Sequence, residues 1–257
     1  MLNILLYQYD ILWEKPLENL DTVESNLRKW FAVKGTVVDI IVLPEFFTTG
    51  FTMDNSFAEC EPGITLERMR EWSKEFDAAI VGSLPVRDGE FIYNRCYFVA
   101  PDGSVSKYDK RHLFRMSREN EVYSAGNEKV VVDFRGWKIA LNICYDLRFP
   151  VWSRNWGAAD GYDLMINGAS WPLQRIEAAQ ILAKARAVEN LSYFIFANRV
   201  GKSPSEEYSG GSMVIDFKGN DISEDRSVDG LKFLVAILDL EKLRKFREKF
   251  PAWMDAD

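Results

Sequence analysis

Three segments of the sequence each place an ionisable side chain near the end of an apolar run. Glu45 follows Ile-Val-Leu-Pro, Lys110 lies in Lys-Tyr-Asp-Lys-Arg-His, and Cys144 follows Asn-Ile. Amide hydrolysis through a covalent intermediate needs a nucleophile, a base that moves its proton, and positive charge at the oxyanion. A thiol becomes a good nucleophile when a nearby cation lowers its pKa, which Lys110 could do for Cys144. The three residue types therefore fit the requirements of cysteine-dependent amide hydrolysis.

Each of these residues also has a structural interpretation when it is taken alone. A cysteine between isoleucine and tyrosine is usually a small buried hydrophobic side chain, and we assign Cys60 and Cys96 to that class. Lys110 could be part of a solvated charge cluster. Glu45 could be a loop carboxylate or a helix cap.

His112 is the only histidine in the chain. Metal sites built from several histidines are therefore excluded, and any serine or cysteine triad must use this residue. A hydrolase that pairs Cys144 with His112 remains an alternative. The three cysteines are an odd number without C-x-x-C spacing, which argues against a disulfide framework and against a zinc ribbon.

The segments around the three residues resemble the nitrilase superfamily of carbon–nitrogen hydrolases. Pro-Glu-Phe-Phe-Thr-Thr-Gly-Phe, Lys-Arg-His-Leu-Phe and Cys-Tyr-Asp-Leu-Arg-Phe-Pro are most similar to its omega-amidase branch. The resemblance implies that Glu45, Lys110 and Cys144 are the glutamate, lysine and nucleophile of the family, which occur in this order. It also implies an α/β fold, a four-layer α-β-β-α sandwich, formed as one carbon–nitrogen hydrolase domain over residues 1–257 without a cofactor or a metal.

Four further residues match positions of the superfamily. Glu119 corresponds to a second glutamate that holds the lysine and helps to orient the substrate; alternatively, it is a surface carboxylate. The backbone N–H of Tyr145 is implied to bind the oxyanion. Arg148 matches an arginine that holds the far carboxylate of the substrate in omega-amidases, as a guanidinium fork can, or else it pairs with a nearby acid. Trp171, in Gly-Ala-Ser-Trp-Pro, lines the pocket or belongs to the core.

The implied reaction is the release of ammonia from omega-amides of alpha-keto acids, such as alpha-ketoglutaramate and alpha-ketosuccinamate. N-carbamoyl compounds, nitriles and deaminated glutathione remain alternative substrates, because pocket contacts decide among them. A non-catalytic oligomeric scaffold is a further alternative, although a scaffold needs none of the three reactive side chains. Since relatives are usually dimers or larger, a homodimer or larger homo-oligomer is expected.

The elements that must position these residues follow from the alternation of apolar runs and amphipathic segments, which is typical of an α/β architecture. The segment 45–63 is predicted to be an ordered loop at the carboxyl end of a strand, where α/β proteins bind ligands. Strands are predicted at 4–9, 37–43, 79–84, 91–100, 105–108, 130–134, 137–143, 162–166, 193–197, 213–217 and 233–238, and the strands on either side of the turns at 101–103 and 135–136 are predicted to form hairpins. Helices are predicted at 17–31, where apolar residues recur at spacings of three and four, and at 66–76, 175–190 and 241–250.

The composition argues against other classes of function. The 257 residues include 32 Lys and Arg against 39 Asp and Glu, so the formal charge is −7 at pH 7. No basic stripe is available to neutralise phosphates, and nucleic-acid binding is not expected. The apolar run at the N-terminus is too short for a signal peptide or a membrane span, which predicts a cytoplasmic protein without membrane contact.

Overall fold

The computed structural model describes residues 1–155 and 161–255, which form layered sheets and helices. The strands are β1 (Leu2–Gln8), β2 (Ile40–Val42), β3 (Glu59–Cys60), β4 (Ala79–Asp88), β5 (Phe91–Val99), β6 (Val105–Asp109), β7 (Val131–Phe134), β8 (Trp137–Ile143), β9 (Leu164–Ala169), β10 (Tyr193–Asn198), β11 (Val200–Lys202), β12 (Glu207–Ser209), β13 (Met213–Ile215), β14 (Glu224–Asp225) and β15 (Lys232–Leu238). The helices are α1 (Pro16–Lys34), α2 (Ile64–Phe76), α3 (Glu119–Val122), α4 (Pro150–Ser153), α5 (Ile176–Glu189) and α6 (Leu240–Lys249).

Two large sheets carry most of the strands. The first has the order β14-β15-β1-β2-β4-β5-β6, with β3 paired to β4, and the second has the order β13-β10-β9-β8-β7. Strands β1, β2 and β4 are parallel, as are β8, β9 and β10. The hairpins predicted around 101–103 and 135–136 are confirmed as the antiparallel pairs of β5 with β6 and of β7 with β8.

The layers follow from the alternation of side chains along strand β1. Leu5 packs in one apolar cluster with Leu20 of α1 and Trp72 of α2, whereas Ile4 and Leu6 pack in another cluster with the second sheet. Successive side chains of a strand point to opposite faces, so the first sheet has helices on one side and the second sheet on the other.

Helix α5 covers the outer face of the second sheet. Its buried residues Ala179, Ala183 and Ala187 recur every four positions and belong to the cluster formed by that sheet. Small side chains at this spacing let a helix approach a sheet closely. The predicted four-layer α-β-β-α sandwich is therefore confirmed. Within the ranges that the structure describes, no helix is long and apolar enough to cross a membrane.

Some predicted bounds were wrong. Strand β2 is shorter than predicted, and Val37, which was included in it, is exposed before the strand begins. Strand β4 extends past the predicted end at residue 84, because Pro85 and Val86 continue the ladder with β5. Cys96 is buried as predicted, but the prediction for Cys60 was wrong: it lies exposed on the short strand β3.

The carboxyl ends of β2, from the first sheet, and β9, from the second, meet in the structure. Glu45, three residues after β2, donates its backbone N–H to the carbonyl of Ala169 at 3.4 Å. The backbone N–H of Ser170 in turn donates to the Glu45 carboxylate at 3.0 Å. Because β8 is parallel to β9, its carboxyl end, where Cys144 follows, lies at the same edge.

Candidate active site

Cys144 lies where strand β8 ends and a 3-10 turn, Cys144–Arg148, begins. Its φ is 43°, in the left-handed region that residues with a Cβ rarely adopt, so the backbone is strained at this residue. The Asp146 carboxylate stabilises the turn by accepting a hydrogen bond from the N–H of Ile143 at 3.1 Å. The turn places the Cys144 side chain on the wall of a cavity.

The Asp146 carboxylate is fully buried and connects this turn to the segment that carries Lys110. It accepts hydrogen bonds from the hydroxyl of Tyr108 at 2.7 Å and from the backbone N–H of His112 at 2.9 Å, and the Nδ1 of His112 lies 2.8 Å away. The His112 ring stacks on Phe149. Among the described residues, His112 neither hydrogen-bonds Cys144 nor lines the cavity.

Lys110 forms a buried ion cluster with two glutamates. Its Nζ lies 2.8 Å from Oε1 of Glu45 and 2.9 Å from each carboxylate oxygen of Glu119. All three side chains are fully buried. A buried ammonium group needs such partners, because an unpaired charge in the interior is costly. The structure therefore brings together the lysine and both glutamates that the sequence singled out, and Glu119 is not a surface carboxylate.

Asn94 and Ser170 hold the glutamates in place. The Asn94 amide donates to Oε1 of Glu45 at 2.8 Å and to Oε1 of Glu119 at 3.1 Å. Ser170 donates its N–H to Oε2 of Glu45 and its hydroxyl to the Glu45 carbonyl, both at 3.0 Å. Each oxygen of the Glu45 carboxylate thus has a defined donor.

The two glutamates keep Lys110 charged. Burial acts to lower its pKa, but the carboxylates of Glu119 and Glu45 outweigh burial, and the pKa of Lys110 lies above its usual value. Burial raises the pKa of Glu119, and the ammonium group of Lys110 opposes this rise. Lys110 can therefore present a fixed positive charge towards Cys144.

The Cys144 thiol is kept neutral at rest. Burial raises its pKa well above the usual value, the Glu45 carboxylate raises it further, and Lys110 lowers it only in part. Lys110 does lower the pKa of Cys144, as expected, but the expectation of a net lowering was wrong, because burial and Glu45 raise this pKa by more. The Glu45 carboxylate is thus near enough to the thiol to act on its pKa. A base must therefore take the proton before the sulfur can attack, and Glu45 is placed to do so.

The cavity beside Cys144 has a volume of about 520 Å³, within the range typical of small-molecule sites. Of the residues predicted from the sequence, Lys110, Cys144, Tyr145, Arg148 and Trp171 line it, whereas the two glutamates lie outside its lining. The other lining residues are Trp13, Glu14, Phe51, Thr52, Met53, Asp54, Phe114, Met116, Ser117, Ser170, Pro172, Arg175, Ser203, Ser205, Glu206 and Tyr208.

Tyr145 is the second residue of the 3-10 turn. The first N–H groups of a helix have no carbonyl of the same helix to bind, so the Tyr145 N–H is oriented by the turn and lies next to the thiol in the chain. Its ring meets those of Phe114 and Phe149 edge-on, with centroids 5.0 Å and 5.2 Å apart.

Arg148 and Trp171 lie against each other on the cavity wall. The Arg148 guanidinium lies over the Trp171 ring at 5.0 Å, and Arg148 pairs with no carboxylate in the part of the chain that the structure describes. Trp171 fits both interpretations given for it, because it lines the cavity and is also 3% exposed. Its indole N–H donates to the carbonyl of Arg175 at 2.8 Å.

The sequence reasoning missed three residues that position this site. Asp146 and Ser170 lie inside the quoted motifs, next to residues that were singled out, but neither was given a role. Asn94 is a polar residue in the apolar strand β5 and is fully buried. A buried amide within such a strand was the available signal, because buried polar groups require partners.

Comparisons with known proteins agree on one family. The family model described as carbon-nitrogen hydrolase matches residues 4–248. The omega-amidase YafV of Yersinia enterocolitica is 42% identical over 252 residues, which are 96% of this chain and 95% of that protein. The 2-oxoglutaramate amidase of Bacillus subtilis is 32% identical over 252 residues, with the same coverage. The crystal structure of XC1258 from Xanthomonas campestris, a CN-hydrolase superfamily protein with an arsenic adduct in its active site, superposes with a TM-score of 0.91 at 36% identity, covering 100% of this chain and 97% of that one.

Proposed function

The chain belongs to the carbon-nitrogen hydrolase family and is therefore an enzyme, and we propose that it is an omega-amidase that releases ammonia from short amides with a distant carboxylate. One observation carries the proposal: a single cavity is lined both by the Cys144 thiol and by the guanidinium of Arg148, which has no acidic partner among the described residues. The thiol would attack the amide carbon, and the guanidinium would hold the carboxylate at the other end of the substrate.

In the first half of the proposed reaction, Glu45 takes the proton of the Cys144 thiol and the sulfur attacks the amide carbon. A C–S bond forms, and the negative charge on the carbonyl oxygen is stabilised by Lys110 and by the Tyr145 N–H. Glu45 then gives its proton to the nitrogen, the C–N bond breaks, and ammonia leaves. The enzyme is left with a thioester on Cys144. The raised pKa of the thiol supports this order, because little thiolate is present before the transfer to Glu45.

In the second half, a water molecule attacks the thioester while Glu45 takes one of its protons. The C–S bond breaks, the carboxylic acid product leaves, and the proton returns to the sulfur. Glu119 takes no proton in this scheme. It holds Lys110 through both carboxylate oxygens and so fixes the ammonium group where the oxyanion forms.

We propose alpha-keto acid omega-amides as the preferred substrates, with 2-oxoglutaramate and alpha-ketosuccinamate as the first to test. The names of two relatives, omega-amidase and 2-oxoglutaramate amidase, support this choice. Trp171 would form the wall against which the Arg148 guanidinium lies while it binds the substrate carboxylate.

The test compares kcat/KM for 2-oxoglutaramate, its methyl ester and a simple aliphatic amide, in wild type and Arg148→Lys. Losing a bidentate charge-assisted contact costs ~2–4 kcal/mol, so removing the substrate carboxylate should lower kcat/KM by roughly 30-fold or more. Arg148→Lys should also lower it for 2-oxoglutaramate, because an ammonium group lacks the planar fork.

Arg118→Lys is the matched control, since Arg118 is exposed and pairs with Glu121 outside the cavity lining. Equal rates on all three amides would refute the omega-amidase proposal but leave amide hydrolysis standing.

We also propose that residues 1–257 form one domain, and that the protein is a cytoplasmic homodimer or larger homo-oligomer. The cysteines of the described residues are free thiols, which fits a reducing compartment. Light scattering in solution tests the assembly, and cell fractionation tests the location.

A further inference from the structure

The cavity lining contains an ion pair that the proposed mechanism does not use. Nη2 of Arg175 lies 3.2 Å from Oε1 of Glu206, and the two side chains are 33% and 27% exposed. Both residues line the same cavity as Cys144, and the Cys144 side chain is buried whereas theirs are not. The pair therefore lies in the more solvent-exposed part of the cavity.

Each partner is held by a different part of the fold. Glu206 lies in the turn between β11 and β12, where the N–H of Ser203 donates to the Glu206 carbonyl at 2.8 Å and the N–H of Glu206 donates to the Ser203 hydroxyl at 3.1 Å. Arg175 ends a 3-10 turn, and its guanidinium lies over the Phe114 ring at 5.7 Å. The turn thus fixes the backbone of Glu206 independently of Arg175.

Arg148 and Arg175 both contact Trp171, one through its guanidinium and the other through its backbone carbonyl. Their charges are nevertheless presented differently. Arg175 is neutralised by Glu206, whereas Arg148 has no carboxylate partner in the described parts of the chain. Around Trp171, the wall therefore offers a substrate the open guanidinium of Arg148 and a neutralised Arg175–Glu206 pair.

We propose that Glu206 is a specificity-determining residue, which occupies Arg175 and so denies this cation to a second substrate carboxylate, with the result that the enzyme selects omega-amides with one carboxylate over those with two. This inference rests on the proposed function, because it takes Arg148 as the site of the first carboxylate. Size alone would not produce this selection, since a cavity of about 520 Å³ has room for one more carboxylate. The Arg175–Glu206 pair would produce it, because a second carboxylate placed there would lose water without gaining a free cation.

The same pair could act only as a structural contact that holds the β11–β12 turn against the cavity. The substitution Glu206→Gln separates the two roles. Glutamine keeps the length of the side chain and an oxygen that can accept from Arg175, so the contact remains, but the negative charge is removed. A structural role predicts similar changes for all substrates, whereas the charge predicts a change in the preference between them.

The experiment measures kcat/KM for glutaric acid monoamide and for its 3-carboxy derivative, which adds one carboxylate to the same chain. Wild type should prefer the first strongly. In Glu206→Gln, the ratio of kcat/KM for the dicarboxylate over the monocarboxylate amide should rise at least tenfold, and adding Arg175→Ala should remove the gain. Glu206→Ser provides a second uncharged variant if Glu206→Gln folds poorly.

Glu207→Gln is the matched control, because Glu207 neighbours Glu206 but is exposed and lies outside the cavity lining. Its ratio should equal that of wild type. An unchanged ratio in both Glu206 variants, in an enzyme that hydrolyses 2-oxoglutaramate, would overturn the inference alone. If wild type hydrolyses no omega-amide at all, the proposed function fails and the inference fails with it.

Discussion

Glu119→Gln tests whether the buried cluster holds Lys110 in its working position. The carboxylate accepts from four directions: Lys110 at both oxygens, the N–H of Phe114 at Oε2 and the Asn94 amide at Oε1. Glutamine has the same shape but only one oxygen. Whichever way the amide is turned, its NH₂ group faces Lys110 and one further donor, so hydrogen bonds are lost and donors oppose one another.

The size of the effect follows from these contacts. A hydrogen bond to a charged group contributes about 1.5–3 kcal/mol, and a buried donor left without an acceptor adds a similar cost. If about 3–4 kcal/mol of this loss is added to the activation free energy, kcat falls by roughly 10²–10³. Because Glu119 does not line the cavity, KM should change much less than kcat.

The assay is steady-state ammonia release from 2-oxoglutaramate by purified wild type and variant. Glu121→Gln serves as the matched control, since Glu121 lies two residues away, is exposed and pairs with the exposed Arg118. That control should keep nearly full activity. The reasoning is refuted if Glu119→Gln, shown to be folded by circular dichroism, is as active as Glu121→Gln.

Two further predictions concern the histidine and the thiol. His112→Asn should lower kcat much less than Lys110→Ala, because His112 contacts Asp146 and does not line the cavity; a loss as deep as that of Cys144→Ala in a folded protein would favour a cysteine–histidine pair. In the folded protein the pKa of the Cys144 thiol lies well above its usual value of 9.0. The neutral thiol therefore contributes fully to stability below pH 9.0, and this contribution is lost as the pH rises through the pKa of the folded state. Cys144→Ala should therefore flatten the fall in Tm above pH 9.0, and identical slopes in thermal melts of the two proteins would contradict the raised pKa.

The sequence was sufficient to predict the main elements of the fold. Helix α1 was visible from its apolar spacing, and both hairpins were visible from their turns. The bounds of β2 and β4 were not visible, because they depend on which neighbouring strand continues the ladder. Pairing across a sheet is a tertiary property that local propensity does not determine.

The candidate site could be predicted only as far as its motifs reach. Glu45, Lys110 and Cys144 lie far apart in the chain, and their order suggested a shared site that the fold then assembles. Asn94 could not be predicted, because its role depends on hydrogen bonds to two glutamates that lie 49 and 25 residues away in the sequence. The net rise of the thiol pKa also required the structure, since burial and Glu45 together outweigh the lysine.

The most direct test of the central claim is to look for the acyl group on Cys144. Wild type is mixed with 2-oxoglutaramate, quenched with acid within the first turnovers, digested, and analysed by mass spectrometry. We expect an acyl adduct on the peptide that contains Cys144, which disappears when hydroxylamine cleaves the thioester, and we expect neither adduct nor ammonia release in Cys144→Ala. Ammonia release by folded Cys144→Ala above a few per cent of the wild-type rate would contradict it.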